Sequence, residues 1–106
     1  MDYPVTSADN GRLLTLQAAD RLLVQLAENP TTGFRWAVDT VDDHIISMQN
    51  STYAPPAAGA IGGGGTRQFT FVAKQSGVTP VRFKLWREWL GDASVTQRYE
   101  LTVQVL

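Results

Sequence analysis

Cysteine is absent from this sequence, and with it go disulfides, thiolate zinc sites and a cysteine nucleophile. The redox compartment is left open, because a chain without thiols works equally well in oxidising and reducing surroundings. Histidine is nearly absent too. His44 stands alone beside Asp42 and Asp43, and one imidazole with two neighbouring carboxylates makes neither a zinc site nor an oriented catalytic triad. A solvated turn is the reading there, with no metal and no cofactor expected. No apolar run reaches the ~18 residues that a membrane-spanning helix needs. Nine basic residues, seven of them arginine, face ten acidic ones for a net charge of −1, and no long basic run occurs. That balance is not the electrostatic footprint of a nucleic-acid binder, and neither nucleic acid nor membrane is an expected partner. Met1-Asp2-Tyr3-Pro4 has no basic n-region and no apolar h-region. The expected location is the periplasm or the exterior if a leader has been removed, and the cytoplasm otherwise.

Alternation of period two is present almost everywhere. Leu22, Val24 and Leu26 alternate with Leu23, Gln25 and Ala27, and Phe34, Trp36 and Val38 alternate with Arg35, Ala37 and Asp39. Phe69, Phe71 and Ala73 follow the same rule, as do Val81, Phe83 and Leu85, and finally Tyr99, Leu101, Val103 and Val105. Runs of this length with β-branched or aromatic content are half-buried strands. With Arg12 to Gln17 as an opening strand and Ile45 to Tyr53 as one or two more, seven or eight strands are expected and no helix. Strands with one apolar face each must pack face to face, which predicts an all-β, antiparallel β-sandwich, with a small barrel as the other solution. Trp36 is expected between the sheets, and Phe34, opening the same inward set, is expected to lean into the core.

Ala54 to Gly65 is the one low-complexity stretch, with an Ala/Pro half and a Gly62-Gly63-Gly64-Gly65 half. Composition alone suggests a linker, but each flank would be too small to hold a core of its own without staples. The chain is therefore read as a single domain, residues 1–106, with a long internal loop. A phosphate-loop reading fails on its central requirement, since Gly65 stands where lysine should be and no helix follows.

Recognition by loops remains. Asn29-Pro30-Thr31-Thr32-Gly33-Phe34 places two small hydroxyl residues between a rigid Pro and a permissive Gly. Pro30 fixes its own φ and biases Asn29 toward an extended conformation, while Gly33 can take φ > 0 before the next strand. Asn29 and Thr32 are placed to hold the tip through side-chain to backbone hydrogen bonds. The glycine tract frees its backbone to approach a partner. In Leu85-Trp86-Arg87-Glu88-Trp89-Leu90-Gly91 the inward alternation breaks down, leaving Trp and Arg, the residue types most enriched in interface hot spots, near a strand end.

With these three segments the chain resembles the chagasin family of inhibitors of papain-like cysteine peptidases. The family's motifs stand here as Asn29 to Phe34, then Gly62-Gly63-Gly64-Gly65-Thr66 with an aromatic at Phe69, then Arg87-Glu88-Trp89. The resemblance runs from about Arg12 to Leu106. It implies an all-β, immunoglobulin-like antiparallel β-sandwich whose central loop enters the peptidase cleft while the other two grip either side, with Asn29, Pro30, Thr31, Thr32, Gly33, Gly62, Gly63, Gly64, Gly65, Thr66, Arg87 and Trp89 as the peptidase-binding residues. It implies a reversible, non-covalent inhibitor and not an enzyme, expected to be a monomer when free. One departure is that Glu88 replaces the family's usual Pro, which bears on affinity and target choice. The alternative from another class is a carbohydrate-binding or adhesion-type sandwich using Trp86, Trp89 and Tyr53 as stacking platforms. A further alternative is a scaffold domain with no partner at these loops.

Overall fold

The computed structural model describes residues 1–55 and 64–106. Among these described residues eight strands run in chain order as β1 (Asp2–Val5), β2 (Leu13–Leu16), β3 (Arg21–Glu28), β4 (Arg35–Thr40), β5 (Ile46–Ala54), β6 (Gly65–Ala73), β7 (Gly77–Trp86) and β8 (Gln97–Val105). They form two four-stranded sheets, ordered β1-β3-β6-β5 and β2-β8-β7-β4, packed as the β-sandwich that the alternation predicts and in the immunoglobulin-like form that the resemblance implies. Four pairings are antiparallel; β1 with β3 and β2 with β8 are parallel, and both lie at sheet edges. β1 escapes notice in the sequence because it is four residues long and carries Pro4, which an edge strand tolerates and an inner strand does not. β5 is one continuous strand rather than two, although its register shifts between Met48 and Asn50.

The inward-facing set is close to the one read from the period. Leu22, Val24, Leu26, Phe71, Val81, Leu101 and Val103 are all but inaccessible, and Trp36 is buried among them. Phe83 of one sheet meets Phe69 and Phe71 of the other edge-on, with centroids 5.1 and 5.9 Å away, and meets Tyr99 beside it at 5.7 Å. Such geometry suits the ring quadrupoles and adds to the gain from area alone. Phe34 departs from expectation. It is half-buried and lies outside the core, because the chain enters β4 only at Arg35 and the ring is covered by Arg87 instead, whose guanidinium carbon sits 4.4 Å from its centroid.

Registers decide where the loops fall. Glu28 at the end of β3 pairs with Gly65 at the start of β6, Ala54 at the end of β5 pairs with Thr66, and Arg35 at the start of β4 pairs with Trp86 at the end of β7. The β3–β4, β5–β6 and β7–β8 connections therefore leave the sandwich at one end.

Candidate functional site at the loop end

The β3–β4 connection is a wedge built by its own side chains. Pro30–Thr32 forms a single 3-10 turn, with Asn29 extended (φ −115°, ψ 102°) before it and Gly33 left-handed (φ 80°) after it. Oδ1 of Asn29 accepts hydrogen bonds from the Thr31 amide (3.1 Å) and the Thr31 hydroxyl (2.7 Å). The Thr32 hydroxyl donates to the Asn29 carbonyl at 2.8 Å and accepts from the Phe34 amide at 3.3 Å. Pro30, Thr31 and Thr32 are exposed, so the polar groups of the tip are spent on its own shape while its surface faces outward.

The third connection is tied to the wedge. Nε and Nη2 of Arg87 donate to the Thr32 carbonyl at 3.2 and 3.0 Å. The Trp89 ring tip lies so close to Gly33 that a Cβ there would come within 2.8 Å of it. Positive φ and this contact both exclude larger residues at Gly33. Trp89 nevertheless remains 70% exposed. Behind it, residues Glu88–Ser94 form two short 3-10 turns broken at Gly91. The Ser94 hydroxyl accepts from the Arg87 amide at 2.9 Å and reaches the carbonyl oxygens of Gly91 and Arg87 at 2.7 and 2.9 Å. Lys84 spans from the strand to Asp92 at 3.0 Å and to Asp39 at 3.5 Å. The Asp92 carboxylate in turn holds the Lys84 ammonium above its usual pKa.

At the glycine connection, Gly62 and Gly63 lie outside the described residues. Gly64 and Gly65 are explained by packing within the chain. A Cβ on Gly64 would stand 2.8 Å from the Glu28 carbonyl oxygen, and one on Gly65 would collide with the Ala54 carbonyl oxygen. The Gly65 amide donates to the Tyr53 hydroxyl at 2.9 Å. Thr66 is exposed beside them.

Beneath all this sits a polar group that the sequence reading missed. The Glu28 side chain is fully buried, accepting from the Trp36 amide on Oε1 at 2.7 Å and from Nε and Nη2 of Arg67 on Oε2 at 3.0 and 2.8 Å. The Trp36 indole donates to the Ala27 carbonyl at 2.9 Å. Removing one member of a buried pair such as Glu28–Arg67 typically costs about 3–5 kcal/mol, because the other is left charged and dry. A signal was available: Glu28 continues the inward series Leu22, Val24, Leu26, and Arg67 precedes the inward series Phe69, Phe71, Ala73. Two opposite charges on inward registers of neighbouring strands ask for each other.

The described candidate residues thus meet at one edge, with Asn29 to Gly33 central, Gly64, Gly65 and Thr66 on one flank, and Arg87 and Trp89 on the other. A groove of about 520 Å³ runs between wedge and third loop, walled by residues that include Arg35, Trp36, Trp86, Glu88 and Trp89. The aromatic platforms that a sugar site would need are partly taken. One face of Trp86 carries Lys84 Nζ at 3.6 Å, and Tyr53 carries Arg67 at 5.7 Å. At the far end of the sandwich His44 is exposed, 3.3 Å from Asp42, and among the described residues no His, Asp or Glu cluster could hold a metal ion.

Comparison with known proteins gives this edge its context. The family model described as chagasin family peptidase inhibitor I42 matches residues 15–103. This chain belongs to the chagasin family. Chagasin of Trypanosoma cruzi is 32% identical over 104 residues, covering 93% of this chain and 94% of that protein. In fold, the chain is similar to the cysteine protease inhibitor EhICP2 of Entamoeba histolytica, with a TM-score of 0.83 at 17% identity, over 99% of this chain and 95% of that one. It is also similar to PbICP-C, solved in complex with falcipain-2, with a TM-score of 0.69 at 12% identity, over 99% and 98% of the two chains. The chagasin family is one of peptidase inhibitors and not of enzymes, and the fold and the family expected from the three motifs are both present.

Proposed function

We propose that this protein, acting as one domain over residues 1–106, is a reversible, non-covalent inhibitor of papain-like cysteine peptidases that fills the active-site cleft with its loop end. The observation that carries the reading is the junction of wedge and third loop, where Arg87 holds the Thr32 carbonyl and Trp89 lies on Gly33. Loops joined in the free protein present one edge, and little ordering cost remains when that edge binds. Thr31 stands at the tip, nearest the catalytic Cys and His of the target. Gly62, Gly63, Gly64, Gly65 and Thr66 line one wall of the cleft, and Trp89, backed by Arg87, lines the other.

Resistance to cleavage follows from the shape of the wedge. A scissile peptide must lie extended across the nucleophile, whereas Pro30–Thr32 is a 3-10 turn closed by Asn29 and Gly33. Attack on it would require breaking the bonds that Asn29 and Thr32 make. An interface of the usual protease–inhibitor size, about 1,600 Å² in total, is within reach of three adjacent loops. The solved complex of PbICP-C with falcipain-2 lends support, as that inhibitor shares this fold and engages a protease. The deciding experiment incubates the protein with papain and follows residual activity together with the integrity of the inhibitor. Saturable inhibition with the chain intact is expected; rapid cleavage without inhibition rejects the reading.

A further inference from the structure

We infer that the buried Glu28–Arg67 pair is the positioning element that couples the wedge to Gly64 and Gly65 at the entry to β6, so that these two segments are held together rather than each by itself. The inference rests on the inhibitory reading above for its consequence, but not for its geometry.

Glu28 is the last residue of β3 and is followed directly by Asn29, the residue that caps the wedge. Its carboxylate is shared between two elements: Oε1 receives the Trp36 amide from β4, just after the wedge, and Oε2 receives both donors of Arg67 from β6. One side chain therefore ties both ends of the wedge to the strand that leaves the glycine connection. From Arg67 the chain of contacts continues. Its Nη1 lies 3.3 Å from the Ser51 hydroxyl, and its guanidinium lies over the Tyr53 ring. The Tyr53 hydroxyl holds the Gly65 amide. Gly64 closes the circuit by packing on the Glu28 carbonyl.

Nε and Nη2 of Arg67 converge on the single oxygen Oε2, and two donors set in one planar guanidinium fix its orientation in a way that a lysine ammonium would not. Leu at both positions could have filled the space in the same registers, but would have left the Trp36 amide without its acceptor, and buried amides are almost always paired. A loop competent to bind only part of the time lowers apparent affinity by that fraction, and the loss falls on association when the bound complex is unchanged. That signature separates positioning from contact.

The test uses Glu28→Gln, which keeps an acceptor for the Trp36 amide but turns an amide toward Arg67, with Arg67→Met as the second route to the same break and Arg67→Lys as the conservative rescue. In the free proteins, amide hydrogen exchange is read at Gly65 and Trp36. Against papain, association and dissociation rates are read separately. Expected for Glu28→Gln and Arg67→Met are faster exchange at Gly65 and about a tenfold slower association, with dissociation changed less than about twofold; Arg67→Lys, which keeps the charge without the two converging donors, recovers only part of the loss. Unchanged Gly65 exchange in a folded Glu28→Gln protein would overturn the coupling, as would a loss confined to dissociation. If Glu28→Gln does not fold, the Arg67 variants decide by the same criteria. Should the wild-type protein fail to inhibit papain, the proposed function falls, while Gly65 exchange still decides whether Glu28 couples the loops.

Discussion

The two ends of this sandwich are closed by different physics. Away from the candidate site, short turns are bonded mainly backbone to backbone. The amides of Ile45 and Ile46 both reach the Asp42 carbonyl, the Lys74 amide donates to the Ile45 carbonyl, the Ala19 amide donates to the Ala73 carbonyl, and the Ala73 amide donates to the Asp20 carbonyl. A few side chains add to this, as when the buried Thr79 hydroxyl accepts from the Asp42 amide and Lys74 Nζ donates to the Asp43 carbonyl. At the loop end, contacts between connections are made by side chains: Arg87 to the wedge, Trp89 on Gly33, Glu28 to Arg67. One end is locked by the sheet ladders and is indifferent to what lies beyond it. The other is a built surface whose order depends on a few residues, and substitutions at its exposed positions should separate inhibition from stability.

The largest separation is expected at Trp89. It is the most exposed large aromatic among the described residues, so its truncation removes little burial from the fold. As a large rigid side chain at the centre of a proposed contact, Trp89→Ala should weaken inhibition by about 30-fold or more, equivalent to about 2 kcal/mol. The melting temperature should hardly move. Inhibition constants and thermal unfolding measured on the same preparation check this, and equal inhibition by the variant would remove Trp89 from the contact.

The same contrast explains what could be read from the sequence. The strands of the core were legible because period-two alternation is enforced by burial on one side, and Leu22 to Leu26 or Tyr99 to Val105 show it without interruption. The wedge was legible because Pro30 and Gly33 act on their own backbone, and a local cause leaves a local mark. Phe34 misled for a related reason: alternation was extended one residue past the strand, where Arg87 rather than the core receives the ring. Glu28 with Arg67 is a pairing across 39 residues, and Ser94 supports Arg87 through a hydroxyl whose partners only folding supplies. Nothing in the neighbourhood of either residue names its partner; only their inward registers hint at it.

A smaller effect is expected at Glu88. The backbone there suits a proline, since Arg87 before it is extended (φ −97°, ψ 108°) and Glu88 opens a 3-10 turn, where the amide has no partner within the turn. Glu88→Pro should therefore fit without strain and reduce the freedom the loop loses on binding, slowing dissociation from papain by no more than about fivefold, or about 1 kcal/mol. The gain is bounded because Ser94 and the Lys84–Asp92 bridge already hold this loop. Unchanged or faster dissociation would mean that the carboxylate contributes to the contact more than rigidity does.

The smallest effect belongs to the opposite end and tests whether the two ends are independent. Asp20 accepts the Gln17 amide on Oδ2 at 2.9 Å, and that bond first of all holds its carboxyl below the ordinary 3.8. A carboxyl lowered on folding stabilises the protein above its unfolded pKa, and the contribution fades as pH falls through the folded value. Asp20→Asn should then melt slightly earlier than wild type at neutral pH, and the difference should close in acid well below 3.8, because the wild-type carboxyl is then protonated as well. Inhibition of papain at neutral pH should stay the same, since among the described residues no bond of this turn reaches the loops. A stability gap that persisted in acid would remove the carboxylate charge as its cause. Weaker inhibition by a fully folded Asp20→Asn would show that the sheets transmit order from one end to the other, and the division drawn between the two ends would then fail.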